Sequence, residues 1–163
     1  MLPERPKHLG VLAAVAAGVV VLDQLTKSWV LGSFALYESR PVLPGFFRLT
    51  YLRNPGAAFS FLADQAESFR RPFFLIVTAV ALAAILWVVA RLPPKRGWTL
   101  ASLSLVFGGA VGNLIDRIRL GEVIDFLDFY WRTHHWPPFN VADSAITVGM
   151  VLLLAEEFFA KKS

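Results

Sequence analysis

The sequence predicts a mainly α-helical membrane protein with four transmembrane helices, a small extracytoplasmic β-hairpin or cradle, and a short interfacial helix. The first observation is composition: of 163 residues, 56% are hydrophobic and 17% are charged, against about 45–50% and about 25% in soluble domains. The second is the presence of four apolar runs near the ~20 residues that a helix needs to cross a bilayer core. A single domain accounts for the whole chain, 1–163. The predicted helices cover about residues 9–31, 73–90, 98–117 and 141–159.

The two middle apolar runs are free of charge, whereas the first and the last run have polar ends. Runs 73–90 and 98–115 contain no ionisable residue and are separated by a short break, which predicts an antiparallel transmembrane hairpin. The first run becomes polar at Asp23 and Lys27, and the last run carries Asp143 near its start. We interpret the first run as a retained helix rather than a cleaved signal peptide, because its small residues lie inside the apolar stretch.

Basic residues predict the orientation in the membrane. Seven Lys and Arg residues fall within the 19 residues of the two ends and the short break, and eight fall within the 65 residues of the longer connections. Because cytoplasmic segments are enriched in basic residues, the higher density places both termini in the cytoplasm. The connections at about 32–72 and 118–140 then lie outside. No stripe of basic residues interleaved with aromatics accompanies the net charge of +4, so we expect no nucleic-acid partner.

The two outer connections are too long to be simple linkers. Alternating apolar and polar residues over 47–52, followed by the turn residues of 54–56, predict a β-hairpin whose second strand covers 57–61. Residues 64–71 are predicted to form the short interfacial helix. The second connection is rich in aromatic residues, which commonly lie at the level of the lipid headgroups.

Polar residues gather at the outer ends of the predicted helices. Asp23 and Lys27 are spaced i, i+4 and therefore share one helix face. Ionisable groups at the edge of a membrane are costly, which makes each one a functional candidate. Each also has a structural alternative: ion pairing within a helix, capping at the start of the last helix, or solvation in a loop for Asp125 and Asp128. The candidates at this depth are Asp23, Lys27, Asn113, Asp116, Arg117, Asp125, Asn140 and Asp143.

The residue types present narrow the chemistry. The chain has no cysteine, which excludes disulfides, thiolate nucleophiles and Cys-ligated zinc. The sequence contains no serine-hydrolase or metallohydrolase motif, and the adjacent His134 and His135 are not expected to ligate a metal. A pair of carboxylates remains: when two lie a few Å apart, one keeps its proton while the other activates water, without a metal or cofactor.

Five sequence blocks carry a family resemblance. They are DQLTK at 23–27, NPGAAFS at 54–60, GNLIDR at 112–117, VIDF at 123–126 and FNVADS at 139–144. In order and spacing they closely resemble the blocks of lipoprotein signal peptidase, also called signal peptidase II, over nearly the whole chain. The resemblance implies a four-helix aspartic endopeptidase of the bacterial inner membrane. Such an enzyme removes the signal peptide of prolipoproteins by cutting on the N-terminal side of a diacylglyceryl-modified cysteine.

The resemblance also implies roles for single residues. Asp125 and Asp143 match the catalytic aspartates of the family, and Asp23 and Lys27 match a supporting polar pair. The positive N-terminal end of the last helix favours an ionised Asp143, so we expect Asp143 to be the base and Asp125 the acid. The segment 127–138 is the least family-like. Positions that shape the pocket, hold the substrate or support the structure match Asn54, Gly56, Asn113, Asp116, Arg117 and Asn140.

A second class of function stays open on the residues alone. In a small proton-linked transporter or channel subunit, Asp125 and Asp143 would relay protons, although acids placed at one surface disfavour a path through the membrane. A structural assembly factor would tolerate Asp-to-Asn changes. The peptidase interpretation implies membrane lipid and diacylglyceryl-modified prolipoprotein signal peptides as partners, a monomeric enzyme, and no metal or cofactor.

Overall fold

Helices dominate the observed architecture, and a small antiparallel sheet lies at one end of them. The computed structural model describes residues 5–56, 62, 65–94 and 96–160. In chain order the elements are α1 (Arg5–Ser33), β1 (Ser39–Leu43), β2 (Phe47–Asn54), α2 (Glu67–Val89), α3 (Gly97–Leu120), β3 (Val123–Trp131), β4 (His134–His135) and α4 (Val141–Ala160). The prediction of a mainly helical protein with a small sheet is confirmed.

Within the described residues, three helices are long and apolar enough to cross a membrane, namely Lys7–Ser33 of α1 and the whole of α2 and α3. The fourth helix, α4, is not among these three and has three acidic residues in its 20 positions. Many large apolar side chains point outward: Leu25, Val80 and Leu154 are each exposed by 64% or 65%. An apolar surface of this kind needs lipid around it.

The seam between α3 and α4 is built from small residues. Gly109 lies against Ala142 at the sheet end of the bundle, and Gly149 lies against the backbone of α3 farther along. Near the opposite end, Thr99 Oγ1 donates a hydrogen bond to Glu156 at 2.6 Å. The two helices are therefore antiparallel neighbours along most of their length, and α4 begins beside the end of α3.

α1 packs on α3 and runs parallel to it. A Cβ on Gly108 would lie 2.9 Å from Ala16 Cα, and one on Gly112 would lie 2.6 Å from Asp23 Oδ2. Both positions need glycine because larger residues would separate the helices, as in other small-xxx-small contacts. The polar ends of α1 and α3 consequently meet at one level, next to the sheet.

α2 begins earlier than the apolar run suggests. The helix starts at Glu67 and continues through Pro72, so the separate interfacial helix predicted at 64–71 is wrong for its described part; residue 64 lies outside the described residues. Because proline has no backbone N–H, the helix continues through Pro72 with one backbone hydrogen bond fewer. Arg71 donates to the Ile118 carbonyl at 2.8 Å, which ties the start of α2 to the end of α3 in an antiparallel arrangement.

The sheet has four antiparallel strands in the order β1-β2-β3-β4. The strand predicted at 47–52 is present in β2, while its expected partner at 57–61 lies outside the described residues. β2 is paired with β1 on one side and with β3 on the other. β3 lies in the segment 118–140, where a loop was expected; its β-branched and aromatic residues favour a strand. Leu52 of β2 faces Asp125 across the pair, so Asp125 is not a solvated loop acid.

Candidate active site

A buried lysine organises the polar groups where α1 meets α3. Lys27 is 1% exposed, and its Nζ lies 2.9 Å from Asp23 Oδ2 and 2.8 Å from Asp116 Oδ2. The same Nζ donates a hydrogen bond to Asn113 Oδ1 at 2.9 Å. The ammonium group thus uses all three of its donors, which a buried cation requires. The structural alternative for Asp23 and Lys27, an ion pair, is observed, and Asp116 belongs to it.

Asn113 connects this cluster to the acid on α4. Because its Oδ1 accepts from Lys27, its Nδ2 is directed to Asp143 and donates to Oδ1 at 2.7 Å. Asp23 supports the same turn, since its Oδ1 accepts the Ala142 N–H at 2.9 Å. The first turn of α4 is therefore held in two ways, by the amide of Asn113 on α3 and by the carboxylate of Asp23 on α1.

Asn140 caps α4 and reaches both carboxyl groups. Its Oδ1 accepts the Asp143 N–H at 2.9 Å, and Asp143 Oδ2 accepts the Asn140 N–H at 3.3 Å, a reciprocal capping box. The Asn140 Nδ2 donates to Asp125 Oδ1 at 2.8 Å. The capping alternative is thus observed, yet the same side chain also binds Asp125, so one fully buried amide spans both acids.

Asp125 is the more buried of the two acids. It is 3% exposed, and its second oxygen accepts a hydrogen bond from Asn54 Nδ2 at 3.0 Å. Burial, followed by the charge of Asp143, raises the pKa of the Asp125 carboxyl to about 7, against the lowering influence of the Asn54 and Asn140 amides. Its protonated form is therefore populated near neutral pH, as a hydrogen-bond donor to a substrate carbonyl requires.

Both acids line one cavity of about 880 Å³ beside the sheet. Arg117 also lines it, donating to the Gly56 carbonyl at 3.0 Å and lying 4.8 Å from the centre of the Phe74 ring. These contacts connect α3 to the turn after β2. The wall is completed by two short stretches, Leu52 to Pro55 on β2 and its turn, and Trp136 to Phe139 before α4.

The predicted site residues all lie at this level of the structure. Asn54, Asn113, Arg117, Asp125 and Asp143 line the cavity. The supporting residues contact these five residues rather than the cavity. Asn140 contacts both acids, and the Gly56 carbonyl accepts a hydrogen bond from Arg117. Lys27, with its partners Asp23 and Asp116, lies behind Asn113. Among the described residues, no group of three His, Asp or Glu side chains is placed to hold a metal ion.

Two features were missed at the level of sequence. Gln24 Nε2 donates to Asp116 Oδ1 at 3.0 Å and to the Gly112 carbonyl at 3.2 Å, and its place in the DQLTK block was a signal for it. Asp128, considered a solvated acid, is 1% exposed and paired with Arg48 and His135. Nothing in the sequence alone indicates that pairing, because the three residues come from three strands.

Two carboxyl groups are linked through one residue, Asn140, at the end of helices of membrane-spanning length, an arrangement typical of a membrane enzyme of the aspartic type. Comparison with known proteins agrees. The family described as signal peptidase (SPase) II matches residues 15–159. The lipoprotein signal peptidase of Geobacter metallireducens is 58% identical over 143 residues, covering 88% of this chain and 87% of that protein. The one from Geobacter sulfurreducens is 57% identical over 143 residues, with 88% of each chain covered.

Solved structures of bacterial membrane enzymes share the fold of this chain. One described as a bacterial membrane enzyme superimposes with a TM-score of 0.84 at 32% identity, covering 93% of this chain and 90% of that one. The chain belongs to the signal peptidase II family. It is therefore a peptidase of lipoprotein processing. The comparisons give no support to the two other functions considered from the residues alone, a transporter or channel subunit and an assembly factor.

Proposed function

We propose that Asp125 and Asp143 are the catalytic pair, and that they hydrolyse the peptide bond on the N-terminal side of a diacylglyceryl-modified cysteine in prolipoproteins. The observation that carries this proposal is the position of Asn140, whose side-chain Nδ2 donates to Asp125 Oδ1 and whose backbone N–H donates to Asp143 Oδ2. A residue that fixes two carboxyl groups at the wall of one cavity holds them ready for acid–base chemistry.

The two acids have different surroundings, and this favours different roles. Asp143 occupies the third position of α4, where the positive end of the helix stabilises an ionised carboxylate. It also accepts a hydrogen bond from Asn113 Nδ2, which is held by Lys27. Asp125 lies on a strand without such a helix end and is protonated near neutral pH. We assign the base to Asp143 and the acid to Asp125.

The proposed reaction proceeds in two steps. In the first, Asp143 takes a proton from a water molecule while the oxygen of that water bonds to the scissile carbonyl carbon. Asp125 gives its proton to the carbonyl oxygen in the same step. In the second, the resulting diol collapses: Asp125 takes a proton back, Asp143 donates its proton to the amide nitrogen, and the C–N bond breaks. The products are the signal-peptide carboxyl group and the free amine of the modified cysteine, and both acids regain their starting states.

The exposed apolar surface of the bundle suits a substrate that arrives through lipid. We propose that α4 is a fourth transmembrane helix, that both termini are cytoplasmic, and that the cavity lies near the extracytoplasmic face of the inner membrane. The basic-residue density supports this orientation. The diacylglyceryl chains would then stay in the outer leaflet while the signal helix packs among the enzyme helices. The monomeric state of the enzyme stays a prediction.

The test compares purified wild type with Asp125→Asn and Asp143→Asn in detergent containing excess EDTA. The substrate is a synthetic signal peptide with a diacylglyceryl cysteine, and mass spectrometry locates the cut. We expect wild type to cut just before the modified cysteine and both variants to be inactive. Glu157→Gln, at the far end of α4, is the control, since it makes the same carboxyl-to-amide change outside the cavity.

Two results would contradict the proposal. One is a folded wild-type enzyme that leaves the lipidated peptide intact. The other is wild-type turnover by either aspartate variant. Thermal unfolding in detergent verifies that each protein is folded. The order of acid and base is tested separately by titrating each single Asn variant, because a lower pKa for Asp125 than for Asp143 would reverse the assignment.

A further inference from the structure

A second group of charged side chains lies on the sheet, outside the proposed catalytic pair. Asp128 of β3 is 1% exposed. Arg48 Nε of β2 donates to its Oδ2 at 2.6 Å, and His135 Nδ1 of β4 lies 2.8 Å from its Oδ1. A carboxylate only accepts hydrogen bonds, so Nδ1 of His135 carries the hydrogen. We call Arg48, Asp128 and His135 the three-strand clasp.

Aromatic contacts complete the surroundings of this clasp. The His135 ring stacks on Tyr130 with centroids 5.2 Å apart, and the Arg48 guanidinium lies 5.3 Å from the centre of the same Tyr130 ring. Within the described part of the chain, the charged or titratable groups that face His135 are thus Asp128 and Tyr130 from β3 and Arg48 from β2. The clasp is the main side-chain attachment of β4, a strand of only two residues.

The clasp is attached to the cavity wall through the backbone. His135 directly precedes residues 136–139, which line the cavity and which we call the 136–139 wall. The Trp136 N–H donates to the Phe129 carbonyl at 2.8 Å, and the Phe139 ring stacks on the Phe129 ring with centroids 5.9 Å apart. Backbone pairing with β3 also holds β4, and the His135 side chain adds a buried carboxylate contact to it, so loss of that contact would loosen the wall while leaving the acids and their amides in place.

We propose that the three-strand clasp is a positioning device for substrate binding: it holds the 136–139 wall against the cavity and so sets the affinity for the lipidated prolipoprotein. Its three residues take no part in bond cleavage, and Asp128 does not line the cavity. Trp136, which is 62% exposed, and the two prolines that follow it supply an apolar surface for the substrate. The inference rests on the proposed function.

The experiment measures kcat and KM separately for wild type, His135→Ala, His135→Asn and His134→Ala, with the lipidated signal peptide in detergent. His135→Ala should raise KM about three- to tenfold with kcat nearly unchanged, as expected when uniform binding is lost. His135→Asn, whose amide can still donate to Asp128, should restore most of the affinity. His134→Ala is the matched control: it changes the exposed neighbour on the same strand and should behave as wild type.

The outcomes separate the inference from the function on which it rests. A KM for His135→Ala equal to that of wild type, or a lower melting temperature with unchanged KM, would overturn the clasp as a positioning device. A loss confined to kcat would overturn it as well. If wild type fails to cut the substrate, the proposed function falls and the inference falls with it, whereas cleavage with unchanged KM in every variant removes the inference alone.

Discussion

Gly109 offers a direct test of how closely the active site depends on helix packing. A Cβ at this position would lie 2.3 Å from the Ala142 carbonyl oxygen and 2.7 Å from Ile146 Cγ1. Ordinary contact begins at 3.4 Å, so the start of α4 must retreat by about 1.1 Å to accommodate an alanine, because neither contact is with a flexible chain end and the interior is close-packed.

This retreat acts on the proposed catalytic pair because Ala142 directly precedes Asp143. A misplacement of about 1 Å can lower a rate on the order of 10²-fold, and we expect a loss of roughly that size in the kcat of Gly109→Ala. Helix propensity works in the opposite direction, since alanine is favoured over glycine by about 1 kcal/mol. Gly18→Ala is the control: nothing lies within 4 Å of a Cβ at Gly18, so its kcat should be that of wild type.

The assay is cleavage of the diacylglyceryl-cysteine signal peptide by each variant in detergent, with the thermal unfolding midpoint recorded alongside. If Gly109→Ala is folded and keeps more than about half of the wild-type kcat, the reasoning is refuted, because the helix seam would then tolerate a methyl group without moving Asp143. Equal losses in the two glycine variants would refute it too.

Three further predictions concern charge and metal. Lys27→Met should lower the free energy of unfolding by ~3–5 kcal/mol, because it leaves the buried carboxylates of Asp23 and Asp116 without their cation; chemical unfolding in detergent measures this, and an unchanged midpoint would contradict it. Because burial raises the pKa of Asp125 to about 7 from an ordinary 3.8, kcat should fall as the pH rises through about 7 and the acid loses its proton. The contribution of this group to stability has the same sign: it is complete below about pH 4 and lost as the pH rises toward 7. Excess EDTA should leave the rate unchanged, as measured by the same peptide assay, and a chelation-sensitive rate would contradict the metal-free mechanism.

Much of the site could be predicted because residue spacing along a helix determines which side chains lie on the same face. The i, i+4 spacing of Asp23 and Lys27 places both side chains on one face of α1. Gly108 and Gly112 of α3 let that face approach α3 closely. Helix direction then brought the polar ends of α1 and α3 to the level where α4 begins. The reciprocal bonds of Asn140 and Asp143 follow from three-residue spacing at a helix start. Assigning the catalytic pair to Asp125 and Asp143 needed the family resemblance as well.

The sheet was the part that one sequence does not determine. The register of β2 depends on β1 and β3, and the latter is distant in the chain; local alternation does not reveal which partner a strand takes. For this reason local patterning predicts a hairpin partner for β2 at 57–61, which lies outside the described residues, and does not reveal that β1 and β3 flank β2. The same limit hid the pairing of Asp128 with His135. In α2, the charged residues before Pro72 ended the apolar run but not the helix.

The hydrogen bond from the Ala142 N–H to Asp23 joins two residues that are 119 positions apart. Its consequence concerns the order in which the protein is made. When α1, β2 and α3 have been made, Lys27 and Asn113 are already present, but Asp143 and its capping partner are still unmade or undocked. Asp125 then has no second acid beside it. On the proposed assignment of Asp125 and Asp143, a nascent chain is an incomplete hydrolase, and it becomes competent to cut lipoproteins only when its last helix docks on its first.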